Sequence, residues 1–121
     1  MSRFIRTRFV LAVHDVKRST EYYRDVLDFE LEPIEAEGWS FLRRGDVHMM
    51  LGECPDAIPP RELGDHQYFA YMEVDDIDAY HALVTGNGAD LSSALADKPW
   101  GMREFGVRTV DGHRILFGQD I

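Results

Sequence analysis

A short strand-to-helix junction occurs twice in the chain. Val13-x-Asp15-Val16 is matched by Val74-x-Asp76-Ile77, and the two junctions are 61 residues apart (74 − 13). Each junction follows an alternating apolar run, which favours a strand, and precedes apolar residues at helical spacing. Asp is a preferred N-cap residue, so each aspartate can begin a helix. The chain is therefore predicted to contain two copies of one unit, with any functional site where the copies meet.

The pattern between the junctions predicts the same order of elements in each copy. The predicted elements are a strand at 8–13, a helix at 16–27 and strands at 30–33, 39–42 and 47–51, then a linker at 52–64, a strand at 68–74, a helix at 77–85 and strands at 90–92, 103–109 and 114–117. This order gives one α+β domain, 1–121, made of two βαβββ repeats at about 7–53 and 67–119. The helices are expected on the outer face of a curled mixed sheet, which leaves a cleft on the other face.

The composition limits the kinds of partner that the chain can have. Its formal net charge of −9 opposes binding to nucleic acid and anionic membranes and attracts cations, although a role in solubility explains the charge as well. No apolar run is long enough to span a bilayer. A single cysteine, Cys54, excludes an internal disulfide framework and favours a reducing compartment. We therefore expect a cytoplasmic protein that binds neither nucleic acid nor membrane.

Four motifs occur in an order that resembles the vicinal oxygen chelate superfamily. They are Val13-x-Asp15-Val16, Glu21-Tyr22-Tyr23 followed by Leu27-x-Phe29, Trp100-Gly101-x-Arg103-Glu104-Phe105, and Asp111-Gly112-His113-Arg114-Ile115. That superfamily includes glyoxalase I, extradiol dioxygenases, and fosfomycin- and bleomycin-resistance proteins. Residues 38–46 and the Trp100-Gly101 loop look most like the bleomycin-resistance branch. The chain departs from the family pattern at Asp28, where Gly is usual, and at 109–112, where Thr-Val-Asp-Gly replaces Asp-Pro-Asp-Gly.

The resemblance implies that four strands each present one ligand to a divalent metal in the cleft. In this chain the matching positions hold Arg8, Met49, Phe69 and Leu116. Zinc, iron and nickel prefer imidazole and carboxylate ligands here, and none of these four side chains supplies one. The metal site is therefore expected to be lost, and we expect no cofactor. A slip of one residue in the register would instead bring His48 into the cleft. The remaining histidines at 66, 81 and 113 are interpreted as surface or satisfied polar residues.

Aromatic and apolar side chains are expected to line the cleft that remains. Trp39 and Trp100 would lie at its rim, and Glu104 could orient a ligand or act as a general base. The other expected lining residues are Arg8, Val10, Ala12, Val47, Met49, Leu51, Phe69, Tyr71, Glu73, Arg114 and Leu116. Apolar walls with a few polar groups are typical of small-molecule sites. Two plainer interpretations stay open, that these side chains fill a closed core and that Glu104 pairs with Arg103.

Three classes of function fit this interpretation. The first is a metal-free protein that sequesters a planar antibiotic or metabolite, with a cation favoured by the aromatic residues and the negative charge, as bleomycin-resistance proteins do. For this class the resemblance implies a homodimer. The second is a glyoxalase- or dioxygenase-type enzyme with displaced metal ligands, for which the candidates are Glu73, Glu104, His14 and His48. A third is metal-free catalysis on an anionic substrate by Arg8, Arg114 and Glu104.

Overall fold

The computed structural model describes residues 2–64 and 67–121, so His66 lies outside the described residues. The elements are β1 (Arg8–Val13), α1 (Val16–Asp25), β2 (Glu30–Leu31), β3 (Trp39–Arg44), β4 (Val47–Glu53), a 3₁₀ helix (Pro60–Leu63), β5 (Tyr68–Glu73), α2 (Ile77–Gly86), β6 (Asp90–Asp97), β7 (Met102–Arg108) and β8 (Arg114–Asp120). Within these ranges no helix is both long and apolar enough to cross a membrane.

The chain folds as two compact units, the first ending at Ala57 and the second beginning at Ile58. Each unit contains one helix and a four-stranded sheet, with strand orders β1-β4-β3-β2 and β5-β8-β7-β6. In both sheets the first and last strands of the unit pair in parallel, and the other pairs are antiparallel. The predicted α+β fold of two βαβββ repeats is therefore confirmed.

The repeated aspartates begin the two helices as their spacing predicts. The Asp15 carboxylate accepts the backbone N–H groups of Lys17 and Arg18 at 3.1 and 3.2 Å. The Asp76 carboxylate accepts the N–H of Ala79 at 3.1 Å. Each cap satisfies donors that the first turn of a helix cannot pair internally. The junction motif thus fixes where the chain turns from strand to helix.

Each helix packs on one face of the sheet in its own unit, and that face forms the core. In the first unit the buried apolar residues are Leu11, Val13, Tyr23, Leu27, Phe29, Leu42, Met49 and Leu51. In the second unit they are Met72, Ile77, Tyr80, Val84, Phe105, Val107, Ile115 and Phe117. Phe105 and Phe117 stack at 5.3 Å between ring centroids, and Tyr80 of α2 meets Phe117 at 5.0 Å. We call the opposite side of each sheet its helix-free face.

Every predicted element except the strand at 8–13 differs from its predicted bounds, most of them by one to three residues. Helix α1 ends at Asp25 rather than Leu27, and Asp28 then adopts the left-handed conformation with φ of 64°. Strand β4 continues to Glu53, because the N–H of Glu53 bonds to the Gly38 carbonyl at 2.8 Å. Strand β6 extends to Asp97 and contains two shifts of register, so its sequence lacks the strict alternation on which strand prediction depends.

Candidate functional site

The helix-free face of the first unit carries different β4 residues from those predicted. Arg8, Phe9 and Val10 stand opposite His48, Met49 and Met50, and directly paired residues share a face. Met49 is fully buried in the core, whereas Val10 is 59% exposed. The expected position of Met49 beside Arg8 is therefore wrong, and the same holds for the buried Leu51. The register is displaced by one residue, which brings His48 and Met50 onto the face of Arg8.

Three polar side chains meet on this face. The Arg8 guanidinium donates to Oε1 of Glu32 at 3.1 Å, and Nδ1 of His48 lies 3.3 Å from the same oxygen. The ring of Phe41 lies 5.9 Å from the guanidinium carbon of Arg8. The hydrogen bond from Arg8 lowers the pKa of Glu32 below its usual range, against the effect of partial burial. Glu32 thus stays ionised and neutralises the charge that Arg8 brings.

Trp39 lies flat across a glycine on the same face. A methyl group placed on Gly52 would stand 2.8 Å from the Trp39 ring, so only glycine leaves room for the indole. Trp39 also lines a groove of about 750 Å³ between α1 and residues 31–40. The other residues that line this groove are Val16, Lys17, Thr20, Glu21, Arg24, Leu31, Glu32, Pro33, Ile34, Glu35, Ala36, Glu37 and Ser40.

The helix-free face of the second unit brings together Tyr71, Trp100 and Glu104. The Tyr71 hydroxyl donates to Oε2 of Glu104 at 2.7 Å, and the Trp100 indole N–H donates to the same oxygen at 3.1 Å. Tyr71 reaches this carboxylate by crossing Gly118, which stands opposite Glu104. Leu116 stands opposite Tyr71 and shares the face. The structure thus assembles four of the sequence-predicted residues on one surface.

The Glu104 carboxylate is held by neutral donors rather than by a cation. Glu104 is only 6% exposed. The suggested partner Arg103 instead binds Asp97 at 2.6 Å and Asp78 at 3.0 Å. Burial raises the pKa of Tyr71 well above its usual value, and the hydrogen bond to Glu104 raises it further. Tyr71 therefore remains a protonated donor at neutral pH.

Phe69 and Arg114 each contact a residue that is not among the predicted lining of the cleft. The pairing of β5 with β8 shifts between Tyr68 and Ala70, and the Phe69 ring meets the ring of His113 edge-on at 5.9 Å. Arg114 is buried, and its guanidinium donates to the carbonyl of Gly64. A shift of register of this kind interrupts the strict alternation of faces along the strand. The face of each side chain then cannot be predicted from the sequence alone.

A family model for the glyoxalase/bleomycin resistance protein/dioxygenase superfamily matches residues 6–117. The chain belongs to this superfamily. The resemblance noted from the motifs is therefore confirmed, and it covers nearly the whole sequence. No curated protein matches the chain significantly.

TioX, a bleomycin-binding protein and an antibiotic binding protein are among the solved structures that resemble this superfamily member. TioX from Micromonospora sp. ML1 is 26% identical with a TM-score of 0.76, over 98% of this chain and 100% of TioX. The bleomycin-binding protein of Streptomyces verticillus, solved with copper(II)-bleomycin, is 26% identical with a TM-score of 0.72, over 97% of each chain. TnmS3, an antibiotic binding protein from Streptomyces sp. CB03234, shares the fold at 21% identity and a TM-score of 0.78, over 100% of this chain and 99% of TnmS3.

The positions at which superfamily enzymes bind metal do not fit a divalent ion here. Val10 and Tyr71 are equivalent positions of the two repeats, because they are 61 residues apart. Val10 stands opposite Met50 and Tyr71 stands opposite Leu116, so Met50 is the counterpart of Leu116. The four positions then hold a guanidinium, a thioether, a phenyl ring and an alkyl group, of which only the soft thioether is a donor. Among residues 2–64 and 67–121, no group of three or more His, Cys, Asp or Glu side chains is placed to hold a metal.

The side chains suggested for an enzyme are engaged in other contacts or lie apart from one another. Nε2 of His14 lies 2.6 Å from the Ala57 carbonyl, and Nδ1 of His48 lies 3.3 Å from Oε1 of Glu32. Glu73 is exposed at the end of β5.

Sequence reasoning missed Glu32, since only the pairing of the strands brings it to Arg8. The alternation in Trp39-x-Phe41 could have placed Phe41 on the face of Trp39.

Proposed function

We propose that this superfamily member is a metal-free binding protein that sequesters a planar, cationic antibiotic or metabolite. The observation that carries the proposal is the Glu104 carboxylate, which is 6% exposed and accepts hydrogen bonds from Tyr71 and Trp100. Both of these partners are neutral, so the negative charge stays available to a cation. Trp100 is 65% exposed and offers a broad aromatic surface beside that charge. Aromatic faces stack on planar rings and attract cations.

The relatives and the overall charge support the same class of ligand. One of the similar structures is named an antibiotic binding protein, and another is a bleomycin-binding protein that was solved with copper(II)-bleomycin. The net charge of −9 raises the local concentration of cations around the protein. Sequestration needs affinity alone, and it does not require the metal ligands that the chain has replaced.

Calorimetric titration with 9-aminoacridine, a planar cation, tests this proposal. Glu104→Gln removes the charge at nearly constant shape and is expected to weaken binding about tenfold or more. Glu62→Gln makes the same change of charge at an exposed residue of the second unit, so its Kd should equal that of the wild type. Binding should also be unchanged by EDTA. Absence of binding, or an equal Kd for Glu104→Gln and the wild type, would contradict the proposal.

We also propose that the protein acts as a homodimer through the groove of the first unit. Residues 2–7 lie exposed before β1 and include Arg3, Phe4, Ile5 and Arg6. The groove exposes the apolar side chains of Leu31 and Ile34, and its lining holds four glutamates against two basic residues. The basic and apolar segment of a second copy complements this lining in both charge and polarity.

Sedimentation velocity tests the dimer. The wild type is expected to sediment at twice the mass of the chain at micromolar concentration. Ile34→Ser in the groove should dissociate it. Leu83→Ser makes a comparable change on the exposed side of α2 and should not. A monomeric wild type, or equal behaviour of the two variants, would refute this interface.

A further inference from the structure

Three hydroxyl groups converge above Gly106 on the helix-free face of the second unit. A methyl group placed on Gly106 would collide with Oγ of Ser92, stand 2.8 Å from Oγ of Ser93 and stand 3.4 Å from the Tyr68 hydroxyl. The hydroxyls of Tyr68 and Ser92 are themselves 3.3 Å apart. All three side chains are half-buried. We call Tyr68, Ser92 and Ser93 the hydroxyl cluster.

A bulge in β6 produces this convergence. Leu91 stands opposite Val107 and Ser93 stands opposite Gly106, so β6 advances two residues while β7 advances one. Consecutive residues of a regular strand point to opposite faces, and an extra residue changes that alternation. Here both adjacent serines bring their hydroxyls to Gly106. The absence of a side chain on Gly106 leaves the space that they occupy.

The hydroxyl cluster lies beside the proposed cation subsite. Gly106 follows Glu104 by two residues on β7, so the two positions share a face and lie about 7 Å apart along the strand. Tyr68 and Tyr71 both come from β5. The Tyr68–Ser92 separation exceeds the usual range for a hydrogen bond between hydroxyls, so this contact is weak and readily exchanged for a ligand.

We propose that the hydroxyl cluster is a second subsite, which binds an amide or hydroxyl group of the ligand whose cation Glu104 holds. The inference rests on the proposed function and adds the polar group that the ligand must carry. Hydroxyls both donate and accept hydrogen bonds, and these three bring no charge, so they match a neutral polar group. The ligand class is then a planar cation with an amide or hydroxyl substituent a few ångströms from its charge.

Two acridines that differ by one amide test the second subsite. The probes are 9-aminoacridine and 9-aminoacridine-4-carboxamide, whose amide lies across the fused rings from the amino group. The wild type is expected to bind the carboxamide about fivefold more tightly, as one neutral hydrogen bond would give. Tyr68→Phe and Ser92→Ala should each remove most of this preference and leave the Kd of 9-aminoacridine unchanged. A merely structural role for the hydroxyls would change both Kd values together or neither.

The outcomes separate this inference from the proposed function. If 9-aminoacridine binds through Glu104 but the carboxamide shows no gain, or if the gain survives in the double variant Tyr68→Phe/Ser92→Ala, the second subsite is refuted and the cation subsite stands. If neither acridine binds, both proposals are refuted. Loss of the preference in the hydroxyl variants alone, with unfolding midpoints near that of the wild type, supports the second subsite.

Discussion

The side chain of Glu53 accepts a hydrogen bond of 3.0 Å from the backbone N–H of Val16. Gln119 makes the same bond to the N–H of Ile77, at 2.9 Å. In each unit the last strand is therefore tied to the first turn of the helix, beside the aspartate that caps it. The repeat thus extends to this contact, although Glu53 is charged and Gln119 is neutral. The amide of Gln119 also donates a second bond, to the Asp75 carbonyl at 2.6 Å.

Replacing the acceptor at residue 53 is expected to destabilise the first unit. Glu53→Ala leaves one N–H of the first turn of α1 without this partner and should lower the free energy of unfolding by about 1 kcal/mol. Glu53→Gln keeps a side-chain oxygen, as Gln119 does, and should cost less than half as much. Urea unfolding followed by circular dichroism measures both changes. Equal stability of the two variants would show that this bond contributes nothing.

The left-handed residue Asp28 offers a second test of stability. Its φ of 64° is unfavourable for any side chain with a Cβ, and Nη1 of Arg44 bonds both its carboxylate at 2.7 Å and its carbonyl at 3.0 Å. Asp28→Ala keeps the strain and loses the ion pair, so it should cost about 1 kcal/mol. Asp28→Gly loses the same ion pair but relieves the strain, and it should remain within about 0.5 kcal/mol of the wild type. Thermal unfolding compares the pair, and an Ala variant as stable as the Gly variant would contradict this explanation.

Most of the fold could be predicted because local signals agree with the global arrangement. The repeated Val-x-Asp pattern identifies both strand-to-helix junctions, and the structure confirms both caps. Strand β4 shows where such signals end. In the run Val47-His48-Met49-Met50-Leu51, apolar residues occur on both alternating faces of the strand. Alternation therefore cannot decide which methionine is buried. Only the pairing with β1 and β3 places Met49 in the core.

The sequence could predict which residues belong to the candidate site, but not how these residues contact one another. Tyr71, Trp100 and Glu104 were each expected to line a cleft, yet their hydrogen bonds depend on β5 and β7 lying on either side of β8. Gly118 lets Tyr71 cross between those strands, and a lone glycine in a strand does not reveal what passes over it. The convergence of Ser92 and Ser93 was beyond prediction because a bulge has no reliable signature in one sequence.

Acid sensitivity of the first unit should depend on Glu32. Arg8 lowers the pKa of Glu32, so the stabilisation is present above the usual pKa of a glutamate and is lost as the pH falls through the lowered value. Glu32→Gln should therefore cost about 1–2 kcal/mol at neutral pH, and the cost should shrink below about pH 4. Unfolding free energies measured from pH 7 to pH 3 give the profile. Glu30→Gln, at the exposed pair with Arg43, is the control and should be nearly neutral throughout. A cost for Glu32→Gln that does not vary with pH would contradict this role.

The ionisation of Tyr71 should report directly on Glu104. Burial and the hydrogen bond to Glu104 both raise the pKa of Tyr71, so its stabilising contribution is complete below about pH 10 and is lost as the pH rises through the raised value. The difference in tyrosinate absorbance between the wild type and Tyr71→Phe isolates this one group. In the Glu104→Gln background the same difference should titrate at lower pH, because the carboxylate that opposes the phenolate has been neutralised while most of the burial remains. If the two difference curves coincide, the Glu104 carboxylate is not a negative charge in contact with Tyr71, and the cation subsite loses its basis.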